Sequence, residues 1–314
     1  MSILLAESDK SNLCQDDAFC IPTSIKNSSV GEFYEKTLKE IEAKTDGLVI
    51  SRESRNLLRP LAVGREKGFF PADSLLYCLH SEVQETNPNH SVSDEFKQHL
   101  ILIETISQSI CSRYQPRMDI PNRQILKTDM NHLEEYAIAN RIYRWVTHPM
   151  SQVRLIVPAL SEEIRKDIIS TFEVNDCDIG LYVVDCLDNF LTYLDIHANI
   201  PIFRYSDMRY PDKFFDVRRQ FWTPFFKFKL NDEMEKLNEG YKTIINDVIA
   251  KSTRLYYEIL KTGLKYEAQY ALLAGFQGRF YMTFNTSVPD PSLMTKNSLN
   301  TEPLLQEVKR CVNL

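Results

Sequence analysis

The chain has 314 residues, of which 43% are hydrophobic, and its formal net charge is −6. This length is enough for one large domain or two medium ones, and the apolar fraction allows a sizeable core. The negative charge disfavours a protein wrapped in nucleic acid, although a local basic face can still bind it. No apolar run approaches the ~18 residues that span a bilayer, and the start MSILLAESDK is unlike a signal peptide. We therefore expect a cytoplasmic protein without a membrane segment.

Several common site types are disfavoured by what the sequence lacks. The seven cysteines are scattered and form no CxxC pair, which disfavours disulfide scaffolds and zinc ribbons. Glycine is scarce, and neither GxGxxG nor GxxxxGK[ST] occurs, so the familiar phosphate-binding loops are missing. The GxSxG elbow of hydrolases is also absent from the sequence.

The N-terminal part divides into a predicted flexible arm, residues 1–28, and a predicted helical region, residues 29–92. Ser28 or Ser29 can cap a helix that runs to about Lys44. The apolar face of this helix consists of Tyr34, Leu38 and Ile41.

Residues 93–200 predict an α/β core. The predicted strands are RMDI (117–120), RQILKT (123–128), VRLIVPAL (153–160) and a last strand at 179–185. The predicted helices are one at 94–113, one at 130–146 that is capped by Thr128 or Asp129, and one that is capped by Ser161 and lies between the last two strands. The apolar, β-branched run at 153–160 is typical of a strand buried on both faces. Residues 153–185 would then form a right-handed β–α–β crossover. We predict an α/β fold with a central mixed sheet and flanking helices.

Residues 201–314 predict a basic, aromatic segment followed by a mostly helical region. Ten aromatic residues lie between Phe203 and Phe228, interleaved with basic side chains that include Arg204, Arg209, Arg218, Arg219 and Lys227. Bases stack on aromatic rings and phosphates pair with basic groups, so this segment is a candidate site for single-stranded nucleic acid. The alternative is that half of the rings pack against the next helix while the charges face water.

A long helix is predicted at 231–262. Its apolar residues recur in a pattern typical of a coiled-coil seam and include Met234, Leu237, Tyr241, Ile244, Val248, Leu255 and Ile259. Such a helix forms either the spine of a helical region or a homodimer contact. A shorter helix, KYEAQYALLA, and a strand, RFYMTFNTSV, follow it.

The stretch RMDIPNRQILKTDMNHLEEYA raises the question of metal-dependent phosphodiester cleavage, which needs oxygen ligands for magnesium and a lysine near the attacking water. Over residues 94–185, the order of elements resembles the restriction-endonuclease-like, or PD-(D/E)xK, family. The resemblance implies that Asp119 is the first metal-binding acid, that Lys127 is the catalytic lysine and that Glu104 is a helix-borne acid. Asp119 and Glu104 would then hold Mg²⁺.

This sequence departs from the family pattern two residues before Lys127, where Ile125 replaces the second acid. Asp129, two residues after Lys127, can point the same way and would supply the missing metal ligand. The alternative is that Asp119 is a turn residue and Lys127 a solvated lysine at a strand end.

A second likeness lies near the C-terminus. The stretch LYYEILKTGLKYEAQYALLAGFQGRFYMTFN resembles part of the flavin-dependent thymidylate synthases. The family signature RHRxxS has its nearest counterpart in FRYSDMRY, which offers Arg204, Ser206 and Arg209 but no histidine. The resemblance implies that these arginines grip a phosphate.

Three functions follow as hypotheses. The first is a nucleic-acid-associated protein with a nuclease-like core, in which Mg²⁺-dependent cleavage would use Asp119, Lys127 and Glu104. The second is a non-catalytic scaffold that interacts with a partner or forms oligomers through the helix at 231–262. The third is a flavin-dependent enzyme that modifies nucleotides.

Overall fold

The computed structural model describes residues 13–15, 20–61, 101–103, 105–106, 122–143, 146–171, 182–193, 196, 215–264, 267–284, 306 and 310. The strands are β1 (Leu13–Gln15), β2 (Cys20–Pro22), β3 (Arg123–Lys127), β4 (Tyr182–Asn189), β5 (Phe215–Arg219) and β6 (Gln277–Phe284). The helices are α1 (Thr23–Lys26), α2 (Gly31–Asp46), α3 (Arg52–Leu57), α4 (Leu133–Tyr143), α5 (Met150–Ile156), α6 (Glu162–Thr171), α7 (Asp232–Glu235) and α8 (Glu239–Lys261). Short 3-10 turns occupy Met130–His132, Val157–Ala159, Pro224–Phe226 and Glu267–Ala271.

The described residues fall into two units. The first draws on Met1–Asn87, Asn189–Leu191 and Trp222–Gln277, and the second on Pro88–Asp188, Thr192–Phe221 and Gly278–Leu314. Each unit therefore combines segments that are far apart in sequence.

Helices α2 and α8 pack against each other in the first unit. The predicted face of α2 is confirmed, because Tyr34, Leu38 and Ile41 are fully buried. The Tyr34 hydroxyl also donates a hydrogen bond to the Tyr270 carbonyl, 3.1 Å away, and so fixes α2 to the 3-10 turn that follows α8. The pairs Lys44–Asp247 and Lys251–Glu40 cross between the helices at the surface, where solvent screening leaves such pairs little net effect.

The predicted helix at 231–262 forms as two helices, α7 and α8. Asn231 caps the first, and the Asn238 side chain accepts the Tyr241 N–H at 3.0 Å and caps the second. The chain therefore restarts its helix at Asn238, since an asparagine side chain competes with the helical backbone bonds there. The inner side of α8 is buried within the same unit through Ile245, Val248, Ser252, Leu255, Tyr256 and Ile259.

The second unit is built on a four-stranded sheet with the order β3-β4-β6-β5. Strands β3 and β4 are antiparallel with Leu126 opposite Val183, and β5 and β6 are antiparallel with Arg218 opposite Tyr281. The strands predicted at 123–128 and 179–185 are thus confirmed as β3 and β4, of which β4 continues to Asn189; residues 179–181 lie outside the described chain.

Helices α4, α5 and α6 cover one face of this sheet. Their buried residues form one core cluster with Val183 and Tyr281, and Leu126 packs against its edge. The predicted caps are confirmed here: the Asp129 side chain caps the 3-10 turn that leads into α4, and the Ser161 hydroxyl accepts the Ile164 N–H at 3.3 Å in α6.

The strand predicted at 153–160 is wrong, because this run is helical in α5 and the 3-10 turn Val157–Ala159. Met150, Val153, Ile156, Val157 and Leu160 are buried, whereas Leu155 is 55% exposed. This spacing of three or four residues is the helical period, and a short apolar run fits a buried strand or a buried helix equally well. The β–α–β crossover predicted for 153–185 is therefore wrong too.

The fold class itself is confirmed: the chain is an α/β protein with a sheet, flanking helices and one long helix in its C-terminal part. The sheet was predicted to be mixed, whereas its strands pair antiparallel. None of the helices in the described part of the chain is both long and apolar enough to cross a bilayer.

Candidate nucleic-acid interface

Residues 223–230 (TPFFKFKL) form an ordered surface segment of the first unit. The Thr223 hydroxyl accepts the Phe225 N–H at 3.3 Å, and Pro224 occupies the first position of the 3-10 turn Pro224–Phe226. This turn leaves the Phe225 side chain 69% exposed, with its ring edge-on to Phe226 at 5.1 Å between ring centres. An exposed phenyl ring held by a capped turn is therefore available to a ligand.

Two exposed lysines, Lys227 and Lys229, follow this ring. The intervening Phe228 is half-buried and lies edge-on to Phe276, with 5.6 Å between the ring centres. The Phe228 ring also covers Gly275, where a Cβ atom would lie 2.4 Å from the ring. We call Phe225, Lys227 and Lys229 the Phe225 surface.

Lys227 has a left-handed backbone, with φ 66° and ψ 172°. This region of φ/ψ space is occupied almost only by glycine and costs other residues about 1–3 kcal/mol. Hydrogen bonds fix the conformation on both sides of the residue. The Lys227 N–H donates to the Pro224 carbonyl at 3.2 Å, and the Lys227 carbonyl accepts the Gln277 N–H at 2.9 Å.

Trp222 anchors the start of this segment in the core. It is fully buried and meets Phe190 edge-on at 5.0 Å. Its main-chain N–H donates to the Gln269 side-chain oxygen at 2.9 Å, and its indole N–H donates to the Phe276 carbonyl at 2.8 Å. The segment that carries the Phe225 surface is thus rigidly attached to the unit.

Of the other four predicted nucleic-acid-binding residues, the structure describes Arg218 and Arg219. Arg204 and Arg209 lie outside the described residues. Arg218 is half-buried in β5, and Arg219 is only 3% exposed, with its guanidinium 5.6 Å from the centre of the Tyr193 ring. Of the three predicted residues that the structure describes, Lys227 has the exposed position that a phosphate contact needs.

The predicted metal site is only partly within the described chain. Asp119, Glu104 and the strand predicted at 117–120 lie outside it, while Lys127 is the exposed last residue of β3. Asp129 is exposed and acts as a cap: its carboxylate accepts the Asn131 N–H at 3.0 Å and contacts His132 Nδ1 at 3.1 Å. The hydrogen bond from the Asn131 N–H and the contact with His132 lower the pKa of Asp129. Within the described residues, no three His, Cys, Asp or Glu side chains are grouped so that they would hold a metal ion.

A buried charge cluster lies between the sheet and helices of the second unit, and the sequence did not single it out. Asp185 in β4 accepts hydrogen bonds from the Tyr143 hydroxyl at 3.2 Å and from the Met150 N–H at the start of α5. The Arg279 guanidinium in β6 lies 3.4 Å from the same carboxylate. The one signal for this cluster is an acid at the end of an apolar strand.

Burial raises the pKa of Asp185 to about 6, against the opposing influence of Arg279 and of the hydrogen bonds. Burial also raises the pKa of Tyr143 and lowers that of His148. Perturbed pKa values are common at active sites but also occur in structural ion pairs. Because Asp185 is fully buried and Arg279 is 3% exposed, we interpret the cluster as a link between α4, α5 and the sheet.

No protein-family model, curated protein or solved structure matches the chain.

Proposed function

We propose that this protein binds single-stranded nucleic acid through the Phe225 surface. The observation that carries the proposal is a phenyl ring, 69% exposed, that is followed within four residues by two exposed lysines on a main chain fixed by hydrogen bonds. Stacking of a base on an aromatic ring contributes about 1–3 kcal/mol and is tolerant of sequence, because every base has a flat face. Lysines beside the ring add contacts to phosphates.

The rigidity of the segment favours binding. The bonds of Lys227 to Pro224 and Gln277, together with the position of Phe228 on Gly275, fix this surface before a ligand arrives. A fixed surface avoids part of the entropic cost of ordering side chains and loops on association. Since the whole chain carries a net charge of −6, we expect the attraction to be local and to weaken as the salt concentration rises.

The first prediction concerns Phe225. Phe225→Ala should weaken binding of a fluorescein-labelled 20-nucleotide single strand about 5- to 140-fold, because one stacked base is lost. Fluorescence anisotropy at 50 mM salt measures this change. Phe225→Trp should keep the affinity, since the larger ring still stacks.

The matched control is Tyr257→Ala, which removes another exposed ring, 48% exposed, from α8 of the same unit. We expect this variant to bind like the unchanged protein. Equal affinities for Phe225→Ala and Tyr257→Ala would remove the proposal, and so would the absence of single-strand binding in the unchanged protein.

Cleavage by the nuclease-like core stays a prediction, because Asp119 and Glu104 lie outside the described residues. If the resemblance holds, the protein degrades plasmid DNA in Mg²⁺ but not in EDTA, and Asp119→Ala and Lys127→Ala each abolish this activity. Degradation at an unchanged rate in both variants would reject the assigned site without affecting the Phe225 surface. The control Lys166→Ala changes an exposed lysine of α6 and should cleave normally.

The two other hypotheses also stay predictions. The inner side of α8 is buried within its own unit, so a homodimer through residues 231–262 would have to use the outer side of that helix. For the flavin-dependent enzyme, Arg204, Ser206 and Arg209 lie outside the described residues. An absorbance scan after addition of flavin tests that hypothesis directly.

A further inference from the structure

We propose that Lys227 is the residue that positions a single strand on the Phe225 surface, by pairing with the phosphate next to the nucleotide whose base stacks on Phe225. This inference rests on the proposed function and assigns one chemical role within it. It predicts recognition of one phosphate and one base face, with no contact to base edges. The ligand class is therefore single-stranded nucleic acid with little sequence preference.

The backbone of Lys227 is the first observation behind this assignment. Among the residues that the structure describes, Lys227 alone has a positive φ without being a glycine. Glycine would adopt this conformation without steric cost, so a lysine at this position lowers the stability of the fold. Local conflicts of this kind are concentrated at functional positions.

The surroundings of Lys227 enforce the strained conformation, which is the second observation. The residue is bonded through its N–H to Pro224 and through its carbonyl to Gln277, and the Lys229 N–H donates to the Gly275 carbonyl at 3.1 Å. A Cβ atom at Gly275 would meet the Phe228 ring, so glycine at that position lets the two segments approach closely. The direction in which the Lys227 side chain leaves the main chain is thereby set.

The position of Lys227 relative to the ring is the third observation. One residue, the half-buried Phe226, separates Lys227 from Phe225, and both flanking side chains are exposed. A lysine ammonium offers three hydrogen-bond donors and a compact positive charge, which suits a phosphate oxygen. A ring that stacks on a base and an ammonium two residues later that pairs with a phosphate supply the two kinds of contact that one nucleotide of a single strand offers.

Three variants at Lys227 separate charge from strain. Lys227→Gly and Lys227→Ala both remove the ammonium, so each should weaken binding of the labelled single strand about eightfold at 50 mM salt. This is the factor that one lost contact, with a slope of about 0.7 in log K against log salt, gives between 50 mM and 1 M. The slope itself should become about 0.7 less steep in both variants. Lys227→Arg should keep affinity and slope.

The stability of the same variants provides a second readout. A lysine whose side chain supports the fold would lose stability in both variants, whereas a different result is expected here. Lys227→Gly should raise the urea midpoint because glycine relieves the strain, whereas Lys227→Ala should leave the midpoint unchanged because its Cβ keeps the strain. Lys261→Ala, which removes an exposed lysine from the end of α8, serves as the charge control and should keep both affinity and slope.

The outcomes distinguish the inference from the proposed function. If Phe225→Ala weakens binding while Lys227→Gly and Lys227→Ala bind with unchanged salt slope, Lys227 does not hold a phosphate and only this inference fails. If neither Phe225→Ala nor the Lys227 variants weaken binding, both the proposed function and this inference fail. A loss of affinity in Lys261→Ala equal to that in Lys227→Ala would also overturn the inference, because the effect would then reflect total charge.

Discussion

Replacing Arg279 by methionine is expected to lower the free energy of unfolding by about 3–5 kcal/mol at pH 8. Arg279 is the one cation at the Asp185 carboxylate in the described part of the second unit, and both side chains are buried. Methionine fills similar space but leaves a carboxylate buried without its counter-charge, and such an uncompensated charge is costly. Urea unfolding followed by circular dichroism measures the change.

The way in which the stability loss of Arg279→Met depends on pH is a sharper test than the size of that loss. Burial raises the pKa of Asp185 in the folded protein to about 6, above the ordinary value of 3.8 for an aspartate. The folded state therefore binds this proton more tightly than the unfolded state, and the contribution of Asp185 to stability falls as the pH rises from about 4 to about 6. A shift of about two units corresponds to about 3 kcal/mol above pH 6.

Arg279 holds the pKa of Asp185 down, so the methionine variant should raise that pKa further. In this variant, the fall in stability that accompanies ionisation of Asp185 should then extend to a higher pH than in the unchanged protein. At pH 5 the carboxyl group is protonated and the difference between the two proteins should be smaller than at pH 8. The double variant Asp185→Asn with Arg279→Met should be more stable at pH 8 than Arg279→Met alone, because neither position then carries a buried charge.

The matched control is Lys166→Met, which breaks an exposed pair with Glu162 on α6 of the same unit. An exposed pair of this kind contributes about 0–1 kcal/mol, and we expect the difference in stability between this variant and the unchanged protein to show no step near pH 6. If Arg279→Met were destabilised equally at pH 5 and pH 8, the ionised form of Asp185 would not be the cause.

Short-range patterns in the sequence predicted several elements correctly. The buried side of α2 and the Ser161 cap of α6 depend on residues within three or four positions of one another, so they can be read locally. The strand prediction for residues 153–160 was wrong because residues that are close in space but distant in sequence decide between strand and helix there. One such neighbour is Asp185, whose carboxylate accepts the Met150 N–H at the start of α5.

The candidate site was predictable only in outline. The sequence identified a basic, aromatic segment, and Lys227 was among its predicted residues. Among the rings between Phe221 and Phe228, whose side chains the structure describes, exposure depends on Gly275 and Phe276, which lie about fifty residues later and hold Phe228. The left-handed backbone of Lys227 had no signal in the sequence, because such a conformation is normally marked by glycine.

The last prediction concerns Trp222, which connects the Phe225 surface to the core. Trp222→Ala is expected to lower the free energy of unfolding by about 3–5 kcal/mol, because a fully buried indole leaves a cavity beside Phe190. Trp222→Phe keeps a ring there but removes the donor to the Phe276 carbonyl, so a smaller loss of about 1–3 kcal/mol is expected. Thermal and urea unfolding measure both changes.

The contrast between Trp222 and Phe225 tests the division of roles within one short segment. Phe225→Ala removes a ring that is mostly in solvent, so its stability should change by no more than about 0.5 kcal/mol while single-strand binding is weakened. Trp222→Phe should lower stability and, at temperatures where it remains folded, bind the single strand only slightly less well. A stability loss in Phe225→Ala as large as that in Trp222→Ala would mean that the Phe225 ring is a packing residue, and its exposure would then say nothing about a ligand.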